Sequence, residues 1–371
     1  MSDPFVGRLG RVRESMASRD VDAVLLSVGA DLPWLCGYEA MPLERLTMLV
    51  VRRDEKPKLL VPRLEAPRVV ERPDVFDLVP WDETDDPLDM VVSVVEGADR
   101  LAIGDTTWSR FLVGLIGRLD GVTWSNASEV VGPIRAIKTP DEVERLREAA
   151  AAADRVIARL RGGEIPLVGR TEAQVSAELG RGLIEEGHDR VNFAIVAAGP
   201  NSASPHHHAG SKVIQPGEVV LCDIGGTMVG DDGVGYCSDI TRCVWTGEPA
   251  PEFLALYDVL FAAHAAGVAA ATVGTPCEDV DRATRRVITE GGYAGGILHR
   301  TGHGIGSEEH EDPYIVIGNT EPLTPGHAFS VEPGIYLADR WGARLEDIVV
   351  AATDGPDVLG TLDGDLAVVE A

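Results

Sequence analysis

The chain lacks any concentration of basic residues. Its 33 lysines and arginines stand against 60 aspartates and glutamates, a formal net charge of −27. That balance leaves no basic stripe for a nucleic-acid backbone or an anionic membrane surface, so neither partner is expected. Cysteine is also scarce. Cys36, Cys222, Cys237, Cys243 and Cys277 form no CxxC pair, which excludes a disulfide framework and a cysteine-rich zinc module. Reduced thiols and a cytoplasmic location are expected instead, in line with an opening MSDPFVGRLGRVRESM that has no apolar signal core. There is no solenoid-length repeat and no tract of simple composition. The long apolar run at 253–274 is alanine-rich and holds Asp258 and His264. It reads as a largely buried helix rather than a membrane span.

What is present is ordinary globular material, 44% apolar over 371 residues, enough for about two domains at roughly 150 residues each. Residues 1–133 alternate short helix and strand signals, with strands expected at 22–28, 46–52, 58–62 and 101–104 and a helix at 110–119. This is an α/β domain, and Val131-Gly132-Pro133 marks its expected end. The second domain, 134–371, is α+β. Thr139-Pro140-Asp141-Glu142 has the form of a capping box with proline in the first helical position. The helix it starts should stop near Gly162-Gly163. Another helix follows Thr171, residues 192–245 are rich in strand formers, two helices fit 251–271 and 277–290, and strands with tight loops fill the remainder.

Five acidic and imidazole residues stand in short unusual contexts: Asp223 in LCDIGG, Asp239 in YCSDITR, His303 in TGHGIG, Glu332 in VEPGIY and Glu346 in RLEDI. Four carboxylates and one imidazole are the ligand inventory of a site for two hard or borderline divalent ions, which can activate a water for attack on a carbonyl or phosphoryl group. Asp223 and Asp239 lie on two strand-like runs flanking Gly230-Asp231-Asp232-Gly233, a hairpin signal. A two-residue loop would pair Asp223 with Ile240 and send Asp239 to the opposite face. An odd-length loop or a bulge is therefore expected. Cys222, beside Asp223, points to the other face and is excluded as a ligand. Arg344 is two residues from Glu346 and on a strand shares its face. It could orient a ligand carboxylate or form an ordinary surface ion pair. Pro205-His206-His207-His208 resembles a weak metal tract, and His299 and His310 flank His303.

In the order PHH, LCDIGG, GYCSDITR, TGHGIGSEEHEDP, VEPGIY and RLEDI, the chain resembles the pita-bread metallopeptidases, in particular the proline dipeptidase and aminopeptidase P branch. The resemblance implies a creatinase-like α/β N-terminal domain followed by an α+β pita-bread catalytic domain. It implies Asp223 on one metal, His303 and Glu332 on the other, and Asp239 and Glu346 bridging both. His206, His310 and Glu332 would be catalytic, and His299, Arg344 and Tyr314 would contact substrate. The ions would be two Mn²⁺, with Co²⁺ or Zn²⁺ accepted, and the substrate a short proline-containing peptide cut before proline. A homodimer is implied, with LPWLCGY at 32–38 as the candidate closing loop. Two departures matter. The hairpin after Asp223 is longer than is common, so its tip is expected to meet substrate or a partner subunit. Position 314 is tyrosine where many proline dipeptidases have an arginine for the substrate's carboxylate, which opens an aminopeptidase P on longer peptides as the alternative. A non-peptidase member of the fold, such as a metal-free creatinase-like C–N hydrolase, fits less well with all five ligand types present.

Overall fold

The computed structural model describes residues 3–370, which divide into two compact units. The first comprises the described residues up to 135 together with 229–235. Its elements are α1 (Pro4–Ser18), β1 (Ala23–Leu26), α2 (Asp31–Cys36), β2 (Met48–Arg52), β3 (Lys58–Pro62), β4 (Asp77–Trp81), α3 (Pro87–Val94), β5 (Arg100–Ile103), α4 (Ser109–Ile116), β6 (Thr123–Asn126) and α5 (Ser128–Ala136). The sheet order is β4-β3-β2-β1-β5-β6, with β2 antiparallel to both its neighbours and the outer pairs parallel. Its apolar face, with Leu25, Val50, Leu60 and Leu101, packs on Val91, Phe111 and Leu115 of the helices.

Three expectations change here. The break at Val131-Gly132-Pro133 lies inside α5, which accommodates Pro133 in its interior. The segment 32–38 is no free loop. Leu32, Pro33, Trp34, Leu35 and Cys36 form α2 and are buried, so they stabilise their own unit. The tip of the long hairpin belongs to this unit as well. Gly37 and Gly233 both have positive φ and press together, and a Cβ on Gly233 would come within 2.2 Å of the Gly37 carbonyl oxygen. Arg72 Nη2 donates to the Asp232 carbonyl at 3.0 Å. Only glycine permits that approach, and the tip is occupied by its own chain.

The second unit holds residues 136–228 and the described residues from 236 onward. Helix α6 (Pro140–Arg161) begins with the expected capping box: Thr139 Oγ1 accepts from Glu142 N and the Glu142 carboxylate accepts from Thr139 N. Helix α7 (Glu172–Glu185) repeats the device with Thr171 and Gln174. Then come β7 (Arg190–Ala198), β8 (Val219–Val229), β9 (Gly235–Cys237), β10 (Ile240–Thr246), α8 (Pro251–Ala270), α9 (Cys277–Glu290), β11 (Gly302–Gly304) and β12 (Glu311–Ile315). The last elements are β13 (Ala328–Val331), β14 (Gly334–Leu337), β15 (Trp341–Arg344), β16 (Asp347–Ala352), β17 (Gly355–Val358) and β18 (Ala367–Val369). One sheet runs β18-β10-β8-β7 with β9 paired to β8, a second runs β12-β11-β13-β16-β17, and β14 and β15 form a ribbon.

Helices α6 and α7 cover one face of the first sheet through Val156, Leu160, Val175 and Leu179. Helix α8 covers the other face through Phe253, Leu256 and Leu260. By length and composition α8 could cross a membrane, and a third of its most apolar stretch is buried in the unit. That is less than expected, because Leu254 and Phe261 face outward.

Candidate metal centre

Strand β8 is apolar on either side of Asp223 because both its faces are covered. Val220, Cys222 and Ile224 enter the α6/α7 core, and Val219 and Leu221 enter the α8 core. Alternation puts Asp223 on the second face and Cys222 on the first, so the thiol has no access to the carboxylates. Asp223 pairs with Thr241 of β10 and with Ile195 of β7. The register follows from a three-residue loop, closed by Gly230 N donating to Val234 O, and this is the odd-length loop that parity demands. Asp239, two residues before Thr241, falls on the same face, in the gap between β9 and β10.

The remaining three residues arrive from the other sheet and the ribbon. His303 is the middle of β11, where its glycine neighbours let the strand nest against backbone. A Cβ on Gly302 would lie 1.8 Å from the Ser330 carbonyl oxygen, and one on Gly304 2.2 Å from that of Asp312. Glu332 follows β13 and is stopped there by Pro333. Glu346 sits with Leu345 in the two-residue gap between β15 and β16. Three of the five acidic and imidazole residues thus occupy strand interruptions, where a side chain can be aimed without obeying the pleat.

The five converge on one cavity of about 630 Å³, also lined by Phe193, Ile195, Pro205, His206, His299, Arg300, Glu309, His310 and Arg344. His303 Nε2 lies 3.3 Å from Glu332 Oε1 and 3.8 Å from Asp239 Oδ2. Ligand atoms of Asp239, His303 and Glu346 all lie within 4.8 Å of one another. Burial, then the charges of Glu346, Asp223 and Glu332, push Asp239 well above the usual carboxylate range. Burial and the charges of Glu332 and Asp223 do the same to Glu346. Burial lifts Glu332 to about 7, against the pull of Arg344 and with the push of Asp223. Burial and then His310 hold His303 down to about 3, so its imidazole is neutral.

These acids fit divalent cations. Their mutual repulsion is relieved only by protons or by cations, and Asp223 Oδ1 is buried without a hydrogen-bond partner. A neutral imidazole with four oxygen donors and no thiolate completes a hard to borderline set.

Arg344 is no surface ion pair. It is buried, binds Asp223 through Nη2, and donates to Thr241 Oγ1 at 3.0 Å and Tyr336 Oη at 2.9 Å. Thr241 in turn donates to Glu346 Oε2 at 2.6 Å, and Ser330 Oγ to Glu332 Oε1 at 3.2 Å. Such partners fix the orientation of ligand oxygens.

Among the histidines, His310 packs its ring against His303 at 3.8 Å between centroids. His206 stands exposed in the cavity wall. His299 is held by Tyr336 Oη at 2.8 Å, and burial and then Arg344 press it down to about 4. The PHHH run does not act as a group, because His207 Nε2 is 2.8 Å from the buried Glu172 and only His206 reaches the cavity. Tyr314 is absent from the cavity wall. Its ring carries the Arg300 guanidinium at 4.3 Å, and Arg300 lines the cavity in its place. Sequence reasoning missed Arg300, Thr241 and Tyr336. For Thr241 the parity that places Asp239 was a usable signal, and for Arg300 its place between His299 and His303.

Residues 144–353 match the family described as metallopeptidase family M24, and residues 8–137 match the creatinase/prolidase N-terminal domain. A probable dipeptidase PepE of Mycobacterium bovis is 38% identical over 372 residues, spanning 99% of this chain and 97% of its own. Among solved structures, the dipeptidase PepE of Mycobacterium ulcerans aligns with a TM-score of 0.92 at 38% identity, over 99% of this chain and 98% of that one. A prolidase from Thermococcus sibiricus aligns with a TM-score of 0.92 at 30% identity over 100% of both chains.

Proposed function

Because the chain belongs to metallopeptidase family M24, with a creatinase-type N-terminal domain, we propose that it is a two-metal Xaa-Pro dipeptidase. The observation that carries the proposal is the meeting of Asp223, Asp239, His303, Glu332 and Glu346 around one cavity, with Arg344 among them. Relatives of the same length are a probable dipeptidase and a prolidase, which supports a dipeptide substrate.

Asp223, Asp239, His303, Glu332 and Glu346 would hold two divalent ions. The oxygen-rich set favours Mn²⁺. When bound, such ions lower the pKa of a water and polarise the carbonyl it attacks. The side chains supply the remaining steps. His206 and His310 offer N–H donors to the carbonyl oxygen before proline as it gains charge. The proline nitrogen has no N–H and must be protonated to leave, and the Glu332 carboxylate takes a proton from the attacking water and returns it to that nitrogen. Arg344 and Thr241 keep Asp223 and Glu346 oriented while the ions are bound. A cytoplasmic homodimer completes the proposal, in keeping with five free, buried cysteines. Light scattering on the purified protein tests the assembly.

The deciding experiment is hydrolysis of Ala-Pro and Ala-Pro-Ala by metal-stripped protein, with and without Mn²⁺. Mn²⁺-dependent cleavage of the dipeptide is the expected result. Cleavage mainly of the tripeptide makes the enzyme an aminopeptidase P, and cleavage of neither by protein carrying two ions overturns the proline-directed reading.

A further inference from the structure

Strand β7 carries an apolar stripe away from the metal cluster. Ile195 pairs with Asp223, Phe193 with Gly225 and Arg190 with Thr227, and the irregularity at Asn192 keeps all three on the face that Asp223 presents. Phe193 stands about 7 Å beyond Ile195 at the ordinary strand rise. A Cβ on Gly225 would lie 2.5 Å from Phe193 Cζ, so the ring lies across that glycine. Phe193 and Ile195 are half-buried and line the cavity, and so is Glu309. Among the described residues, no hydrogen bond or ion pair reaches the Glu309 carboxylate. Burial raises its pKa, the exposed Arg190 pulls it down and Glu308 pushes it up. Arg300 acts elsewhere, on His303, His310 and Glu332. Glu309 therefore belongs to the Arg190 end of the stripe, apart from the metal cluster, and divalent ions held at the cluster would leave its charge in place.

We infer that Glu309 is a specificity-determining residue that selects substrates whose first residue is lysine or arginine. The inference rests on the peptidase reading above and gives it a side-chain preference. When the second residue is proline, the only side-chain cation a dipeptide can carry is on its first residue. A long cationic side chain buries its stem on apolar surface and keeps its head with opposite charge or water. With the scissile carbonyl at the metal cluster beside Ile195, the stem would lie along Ile195 and Phe193. The head would then meet Glu309, a half-buried carboxylate that lacks a bonded counter-charge. A neutral side chain of the same length covers the same stripe and leaves that carboxylate unanswered.

The test uses Mn²⁺-loaded full-length enzyme and two substrate pairs, Lys-Pro against Met-Pro and Lys-Ala against Met-Ala. The wild type is expected to prefer lysine by roughly five- to thirtyfold in kcat/KM, between an exposed ion pair and a charge-assisted hydrogen bond. Raising the salt from about 0.05 to 0.5 M should shrink that preference, because ions screen a partly exposed pair. In Glu309→Gln the ratio falls to near one and loses its salt dependence, and Glu309→Asp keeps part of both. Because the readout is a ratio within one variant, reduced yield or partial misfolding does not mimic it. If Glu309→Gln slows both members of a pair equally, the carboxylate serves a group common to both, such as the α-ammonium, and the assignment is overturned. A wild type without a lysine preference overturns it as well. If only the Lys-Ala and Met-Ala pair is cut, the proline specificity falls while the same ratio still decides Glu309. If none of the four is cut, the peptidase reading and this inference fall together.

Discussion

Glu172 and Glu346 are both buried glutamates of the same unit, and the protein treats them in opposite ways. Glu172 accepts hydrogen bonds from Ala198 N, Asn201 Nδ2, His207 and Gly210 N. Burial alone would raise its pKa, but these donors outweigh it and hold the carboxylate below its ordinary value. Glu346 has Thr241 and the distant field of Arg344 against burial and two acids, and it is driven up. The fold evidently can satisfy a buried carboxylate completely when that carboxylate is structural. Where it leaves several unsatisfied side by side, the missing charge comes from outside the chain.

The comparison breaks most visibly at the acids themselves. In Asp239→Asn, hydrolysis should fall at least about 10³-fold as metal-assisted water activation is lost, and metal analysis should find the ions depleted. The stripped variant should nonetheless melt no lower than the stripped wild type, because an acid has been removed from a repelling group. Glu172→Gln should do the reverse. It leaves buried donors facing a weaker acceptor, at a cost of about 2–4 kcal/mol in denaturant unfolding, with the metal content of the folded fraction retained. If the two variants exchanged these behaviours, the distinction between satisfied and unsatisfied carboxylates would fail.

A pH series sharpens it further. Above about pH 7.5 unfolded histidines have lost nearly all their protons, and burial holds folded His299 and His303 at about 4 and about 3, so these imidazoles contribute little slope there. Glu332 at about 7, with Asp239 and Glu346 raised further by burial and neighbouring charge, keeps protons that the unfolded chain has released. The folded state therefore binds more protons there, and stability of the stripped protein should fall from about pH 7.5 to 8.5. Thermal melts should show that decline, and Mn²⁺ should flatten it while releasing protons on binding.

Much of the site was legible because metal ligation requires particular side chains in special local settings. Asp223 and Asp239 in apolar strand sequence, His303 between glycines and Glu332 before Pro333 each carried a local signal, and parity alone fixed the loop that brings two of them to one face. The pairing of Arg300 with Tyr314 was hidden because it joins the residues before β11 to β12, a contact that no single motif contains. Glu172 was read only as the start of a helix, since its four donors come from a distant loop. In the N-terminal unit the strands with continuous apolar runs were found. Helices α1 and α2 were missed, the second because six residues with a proline in the middle look like a loop until their burial is known.

The proposed ligands span 124 positions of the chain, from Asp223 to Glu346, and they come from two sheets and the gaps beside them. No fragment that folds locally can collect them, so competence to cut peptides arises only when the most sequence-distant contacts of the unit have closed. A partly folded molecule, whether newly made or damaged, is thereby disarmed: the architecture makes complete folding the safety catch of the hydrolase.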